Sequence, residues 1–388
     1  MIHTTIDKSQ KSTALFLDIA KAFDKVDHNI LLSKLRHIGI RGTLLDWFES
    51  FIRNRYQVVR INKATSSQAL VNCGVPQGSV LGPLLFLIYF NSIFEINLIG
   101  VPTAYADDLA LTYITNGYPL EINSLVETDL KNLSKWFYYH KLALSSKSKI
   151  MFFTKQGEVF LTNPIIYHVC SCDKKVCLPH CFALEPVSEF RYLGLTIDAK
   201  LNWVPHLNNI RKSVIFAVHK FYKLRKCCPN ITLRKLYHAL VESIIMYGIS
   251  SWGGTYYANI EDLYIAQKRI IKLIYHCPRR TPTIPLFRQL NLLPLRYLYV
   301  YKVLKMFFIR SNSFHSRLSH VYYTRNPNNF AGVRCNSEKL RRFYLYMAPY
   351  FYRILPNSIK QLTSVRMHQF NRETRSWLLG IDDIEKFF

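Results

Sequence analysis

Apolar and polar positions change rhythm several times along the chain, and each change marks an element. Residues 12–18, "STALFLD", read as a buried strand that ends at Asp18. "VDHNILLSKLRHIGI" then places apolar residues at helical spacing, with Asp27 as cap and Gly39 as stop. "TLLDWFESFIRNR" is a second amphipathic helix, and "YQVVRINKATSSQALVNCGV" alternates like a hairpin turning at Asn62-Lys63-Ala64. "PQGSVLGPLLFLIYFNSIFEI" opens as a glycine- and proline-rich loop and continues as an apolar helix. Two short β-branched and aromatic runs follow, "VPTAYA" and "LALTYI", separated by Asp107 and Asp108. "SLVETDLKNLSKWFYYHKL" is a further helix and "KIMFFTK" a further strand. After residue 200 only the helical period remains, over 204–226, 231–250, 259–276 and 295–311, and from about 312 periodicity is weak. This order predicts an α+β fold, an antiparallel sheet covered by helices on one face, followed by helices alone.

Composition sharpens that picture in one respect. Hydrophobic residues form 49% of the 388 and aromatics 14%, enough for real cores and too many for wholesale disorder. The formal charge of +26 is unevenly spread. Residues 1–200 hold 21 basic and 17 acidic side chains, whereas 201–388 hold 30 and 8. A folded, aromatic-rich chain with one basic half points to a polyanion partner, most simply nucleic acid. The start lacks the apolar core of a signal peptide, and the longest apolar run, "VLGPLLFLIYF", is about half a membrane span and contains a proline. Nine cysteines without a secretory signal fit a reducing compartment. The expectation is an intracellular protein that engages no membrane.

Candidate chemistry starts from the paired acids. One aspartate in a turn is ordinary, but two at a hairpin tip repel unless cations lie between them. Asp18, at the carboxyl end of the first strand, is a third acid. If the hairpin pairs beside that strand, all three carboxylates meet at one sheet edge. Oxygen ligands without histidine or paired thiols suit Mg²⁺, which shares its coordination with phosphates. Two such ions roughly 3.5–4 Å apart activate an attacking hydroxyl and steady a departing oxygen. With a polyanion partner, the natural reaction is nucleotide addition to a primer 3′-OH. On these residues alone, metal-assisted phosphoryl transfer and an acidic turn beside a strand-end cap both stay open.

"FLDIAKAFDKVDH", "GVPQGSVLGPLLF", "YADD" and "FRYLGLTIDAKLNW" occur in the order of reverse-transcriptase motifs A, B, C and E. The chain resembles the polymerases of non-LTR (LINE-type, jockey-like) retrotransposons. "MYGISSWGG", "AQKRIIKLI" and "LFRQLNLLPLRYLY" resemble the tail of those proteins, so the likeness spans nearly the whole sequence. It implies a palm with remnant fingers helices at 1–200, a helical thumb at 201–311 and a basic, aromatic C-terminal region at 312–388. It implies RNA-directed DNA synthesis from deoxynucleoside triphosphates on an RNA template and a DNA primer. Two Mg²⁺ ions, replaceable by Mn²⁺, would serve the reaction, in a ribonucleoprotein of cytoplasm and nucleus.

Carried over residue by residue, the resemblance makes Asp18 and Asp107 metal-bridging carboxylates and Asp108 an accessory ligand. Phe23 takes the position under the incoming sugar, where a ring would clash with a 2′-OH. Gly74 and Gly78 would admit close backbone approach to the template–nucleotide pair, Gln77 would touch that pair, and Tyr105 would pack beside the primer end. Gly194 belongs to the hairpin that grips the primer. Lys147 is the candidate proton donor to pyrophosphate, although "SSKS" departs from the family's Asn-x-x-Lys-Thr pattern, and a solvated lysine is the competing reading. Asp24 is explained by helix-start electrostatics.

Two features invite other readings. "HVCSCDKKVCLPHC", residues 168–181, is dense in Cys and His, but its spacing lacks paired Cys-x-x-Cys knuckles, so free thiols are expected rather than zinc. Cys227 and Cys228 are expected to pack. Only eleven residues precede the first strand, so the fingers are expected to be largely missing and the chain N-terminally truncated. The alternative function is a catalytically inactive nucleic-acid-binding remnant of such a polymerase.

Overall fold

The computed structural model describes residues 2–8, 10–115, 119–153, 165–168, 181–309, 335–362 and 366–388. The chain divides into two units, Ser9–Leu193 and Met1–Lys8 with Gly194–Phe388, each with its own core. Its first element, α1 (Ile2–Asp7), belongs to the second of these.

In the unit Ser9–Leu193 the chain runs through β1 (Lys11–Leu17), α2 (His28–His37) and α3 (Thr43–Ile52). Short strands follow, β2 (Arg55–Gln57), β3 (Arg60–Ile61), β4 (Ala64–Thr65) and β5 (Ala69–Val71). Then come α4 (Gly82–Phe90), β6 (Val101–Tyr105), β7 (Asp108–Thr115), α5 (Pro119–Tyr139) and β8 (Lys149–Phe153). The unit closes with β9 (Ile165–Tyr167), β10 (Phe182–Pro186) and β11 (Glu189–Tyr192). Six strands form one sheet in the order β6-β7-β1-β8-β10-β9, antiparallel except where β10 runs parallel to β8. The expected α+β character and antiparallel sheet are therefore present. The apolar run of β1 reflects its central place, buried on both faces.

Alternation along the strands separates those faces. Leu15, Leu17, Leu109, Leu111, Ile150 and Phe152 share a core with Leu31 and Leu35 of α2, Phe86 and Phe90 of α4, and Val126 and Phe137 of α5. The opposite face carries Phe16 and Ala110, and there Phe16 stacks on Phe190 of β11 at 4.5 Å between ring centroids. Local signals behaved as their chemistry dictates: Asp27 accepts from the Ile30 N–H at 3.0 Å and caps α2, and Gly39, at φ 98°, ends it. The expected hairpin after α3 is two short pairs, β2 with β5 and β3 with β4, turning at Asn62 and exposed throughout β2, β3 and β4.

The second unit contains β12 (Leu195–Asp198) and helices α6 (Val204–Leu224), α7 (Asn230–Tyr237), α8 (Ser243–Met246), α9 (Ile249–Trp252), α10 (Tyr257–Ile274), α11 (Ile284–Leu290) and α12 (Leu295–Ile309). The single helix expected over 231–250 is interrupted twice. A π-helical turn, His238–Glu242, brings the buried Glu242 to His238 Nδ1 at 2.8 Å and to Arg375 at 3.2 Å. Gly248 then adopts φ 61°, with the Leu195 side chain where a Cβ would stand. Of the region expected as a C-terminal part at 312–388, the described residues Met347, Phe351, Phe370 and Leu378 pack in one cluster with α6, α10 and α12. Asp7 of α1 accepts from the backbone N–H groups of Asn336 and Ser337 at 2.6–3.0 Å. Cys227 is exposed while Cys228 packs partly against the core, and most of the 168–181 cluster lies outside the described residues. Among the described residues no helix is long and apolar enough to cross a membrane.

Candidate active site

The ladder between β1 and β7 ends at the pair Leu17–Leu109, so one rung further Asp18 stands beside Asp108. Both follow the alternation of Phe16 and Ala110 and lie on the sheet face away from the helices. β6 and β7 close through the pair Tyr105–Asp108, which leaves Ala106 and Asp107 as a two-residue turn. Ala106 has φ 53° and Asp107 has no positive φ, the sign pattern of a type II′ turn in which glycine would be at ease and alanine is strained. The two acids are thus delivered to the sheet edge by a tip that stores backbone strain.

Electrostatics bear on Asp108. Burial, then the charges of Asp107 and Asp18, hold its carboxyl above the ordinary carboxylate range. Tyr192, one ring away from Phe16 at 5.3 Å, has a buried hydroxyl with no hydrogen-bond partner among the described residues. Burial, and then the Asp108 charge, push that hydroxyl up. The three carboxylates are neighbours through the backbone but do not form a ready cage: among the described residues no three Asp, Glu, His or Cys side chains are arranged to hold a metal ion in common.

Asp18 is fixed by residues far along the chain. Its N–H donates to Ser148 Oγ at 3.1 Å and its carbonyl accepts from the Ser145 N–H at 2.7 Å. Ser145 and Ser148 are the two ends of one turn, joined by the Ser148 N–H and hydroxyl to the Ser145 carbonyl at 3.0 and 2.8 Å. Lys147 is an exposed residue of that turn, so the sequence candidate rides on the loop that holds Asp18, whichever of its two readings applies.

Residues from the first two motifs meet at the backbone. The Val75 N–H donates to the Phe23 carbonyl at 2.9 Å, the Gly74 N–H donates to the Val26 carbonyl at 2.7 Å, and His28 Nε2, buried, pairs with the Gly74 carbonyl at 2.8 Å. Phe23 is half-buried, with one ring face stacked on Phe86 at 4.5 Å. Gly74, at φ 93°, is held close to the chain's own backbone, where a Cβ would lie 2.9 Å from the Asp24 carbonyl. Gly78, at φ 78°, faces open space, and the exposed Gln77 donates to Asp24 Oδ1 at 2.7 Å. Tyr105 is 69% exposed beside the acidic turn. Gly194, at φ 78°, opens the second unit, where a Cβ would touch the Tyr247 ring at 3.2 Å. Sequence reasoning gave no role to His28, Tyr192 or the Ser145–Ser148 turn. Only His28, a polar residue one place inside a helix start, carried a local signal.

Residues 2–197 match the family model described as reverse transcriptase (RNA-dependent DNA polymerase). The chain is 28% identical over 297 residues to the probable RNA-directed DNA polymerase from transposon BS of Drosophila melanogaster, covering 74% of this chain and 31% of that protein. It is 28% identical over 299 residues to the corresponding protein from the X-element, covering 75% and 31%, and 24% identical over 288 residues to that of the mobile element jockey, covering 70% and 29%, both from the same organism. The chain therefore spans about a third of the length of these curated relatives. A telomerase from Candida tropicalis, solved with a TWJ fragment of telomeric RNA, aligns over 78% of this chain and 48% of its own at 12% identity, with a TM-score of 0.34, too low to argue from.

Proposed function

Since this chain belongs to the reverse transcriptase (RNA-dependent DNA polymerase) family, we propose that it is the polymerase portion of a non-LTR retrotransposon protein, adding deoxynucleotides to a primer 3′-OH on an RNA template. The observation that carries the reading is the register that sets Asp18 beside Asp108, with Asp107 in the adjoining turn. An acid whose charge is opposed by two others is relieved by a cation, and the three side chains offer carboxylate oxygens, the donor type that Mg²⁺ and Mn²⁺ take, although they would have to close in on the ion. Asp18, Asp107 and Asp108 would hold the metal, which when bound activates the 3′-OH and steadies the departing oxygen.

The surrounding residues then take the following parts in our reading. Phe23 presents its free ring face toward the sugar and excludes a 2′-OH. Gln77, braced by Asp24, and Gly78 line the nascent base pair, Tyr105 lies against the primer end, and Gly194 serves its grip. Lys147, on the turn that fixes Asp18, gives up a proton to the departing pyrophosphate. We read Ser9–Leu193 as palm with adjoining helices and the second unit as thumb. The basic excess of residues 201–388 supports this, as do exposed rings on α6 covered by cations, Phe216 by Lys220 at 4.7 Å and Tyr222 by the nearby Arg225 at 4.8 Å.

The test is dTTP incorporation on oligo(dT)–poly(rA) by the 388-residue chain, with Mg²⁺ and with Mn²⁺, beside Asp107→Asn. Metal-dependent extension that the variant loses supports the reading. Extension that survives Asp107→Asn, or hybrid binding without extension at any metal concentration, overturns it, the latter in favour of an inactive binding remnant.

A further inference from the structure

α5 buries Ile122, Val126, Leu130, Leu133 and Phe137 along one stripe. Asp129 falls on the same stripe and is completely buried, at 0% exposure, where the helical period calls for an apolar side chain. Burying a carboxylate is costly unless donors meet it on every side. Here the donors are neutral. The Ile99 N–H reaches the two carboxylate oxygens at 2.9 and 3.1 Å, the Gly100 N–H reaches Oδ2 at 2.8 Å, and the Tyr113 hydroxyl reaches Oδ2 at 3.0 Å.

These donors share a location. Ile99 and Gly100 are the two residues before β6, and Tyr113 follows Thr112, the β7 partner of Val101 at the open end of the hairpin. One side chain from α5 therefore grips both strands at the end opposite the Ala106–Asp107 turn. Gly100 lets the grip close, since a Cβ there would lie 2.7 Å from the Tyr113 ring.

The hairpin needs such a hold. Among the described residues β6 is an edge strand, paired with β7 alone, and alternate residues of it are exposed, so core packing does little to fix it. Its tip is strained at Ala106, and strained turns persist only where their surroundings over-determine them. A slip of one residue between β6 and β7 would flip the faces of β6 and displace the Ala106–Asp107 turn, while Asp108 stays on a strand laddered to β1.

We propose that Asp129 is a positioning residue: by gripping Ile99, Gly100 and Tyr113 it sets the register of the β6–β7 hairpin and hence the stance of Asp107 in its turn, next to the Asp108 that β1 holds. Its catalytic consequence rests on the polymerase reading above; the grip itself does not.

Hydrogen–deuterium exchange on the full 388-residue chain tests this, with Asp129→Asn and Tyr113→Phe beside the parent. In Asp129→Asn, amides of 99–108 should exchange about tenfold or more faster, while those of β1 and β8 keep their protection. In primer extension the same variant should lose on the order of tenfold in kcat with KM for dTTP within about twofold, as expected of a displaced Asp107 carboxylate rather than lost nucleotide contacts. Tyr113→Phe, which keeps the carboxylate and removes one donor, should show a smaller acceleration confined to the hairpin, and it decides the matter if Asp129→Asn does not fold. Unchanged hairpin exchange, or acceleration spread evenly over the sheet, overturns the proposal. If the parent chain extends no primer, the polymerase reading falls while the exchange data still decide the grip.

Discussion

The side-chain amide of Gln77 donates a 2.7 Å hydrogen bond to the carboxylate of Asp24. The residues lie 53 apart in sequence, yet the segments that carry them are already joined by backbone bonds from Gly74 to Val26 and from Val75 to Phe23. The amide is thus presented from a fixed platform, and Asp24, read from sequence only as a helix-start acid, also braces Gln77. Removing the acid should therefore act on Gln77 rather than on the fold.

Asp24→Ala exposes no new core and should change unfolding free energy by less than about 0.5 kcal/mol. Primer extension should fall, and the fall should be the same in Gln77→Ala as in the double variant, because the two act as one unit. Additive losses in that cycle would separate them.

Gly74→Ala should be far more damaging to stability. Its positive φ and the Asp24 carbonyl 2.9 Å from the new Cβ both oppose it, so a loss of about 2–3 kcal/mol in urea unfolding is expected. If Ala is accepted without loss, the backbone approach described here is not the reason for the glycine.

Asp108→Asn should stabilise the apo protein near neutral pH while abolishing extension. The folded carboxyl is raised, so the wild-type side chain disfavours folding when ionised, and that penalty disappears as the pH falls through the raised value. After solvent screening the gain at pH 7 should be on the order of 0.5 kcal/mol, about 1–2 °C in Tm. Thermal melts of both proteins between pH 4 and 7 should therefore converge toward acid; a gap that widens on acidification would contradict the assignment.

Asp27 carries the opposite sign. Burial would raise its carboxyl, but the Lys141 ammonium at 2.5 Å and the Ile30 N–H outweigh burial and leave it lowered. Its contribution is present above the unfolded Asp value, about 3.9, and is lost as the pH falls below that toward the folded one. Asp27→Ala should cost about 1 kcal/mol at pH 7 through the lost cap, and Asp27→Asn, which can still cap, clearly less. Urea titrations at pH 7 and pH 3 check both the order and the convergence.

The three acids were legible in the sequence because each depends on local chemistry: a strand end for Asp18, a two-residue turn for Asp107 and Asp108. What joins them is not local. Nothing in "LALSSKSKI" signals that Ser145 and Ser148 hold the Asp18 backbone, because that bond exists only once β1 and β8 pair. Gly74 was recognisable as a close-approach position, but which backbone approaches, Asp24 in this case, is set by tertiary structure. Asp129 was overlooked for a different reason: an acid on an exposed-looking helix reads as solvated unless the apolar stripe is counted around it. The helices Tyr344–Ile354 and Met367–Leu379 were missed because tyrosine and arginine blur their period, although Phe351, Phe370 and Leu378 carry the buried face.

Asp7 bonds to the backbone of Asn336 and Ser337, some 330 residues later. The unit to which α1 belongs is therefore interrupted in sequence by all of Ser9–Leu193. During synthesis at roughly 5–20 residues per second, α1 must wait on the order of tens of seconds before the segment that receives it leaves the ribosome. The sheet unit, complete by Leu193, can reach its native state in that interval, with α1 still unattached. The order of emergence thus imposes an order of folding, in which the carboxylate hairpin is built well before α1 is seated.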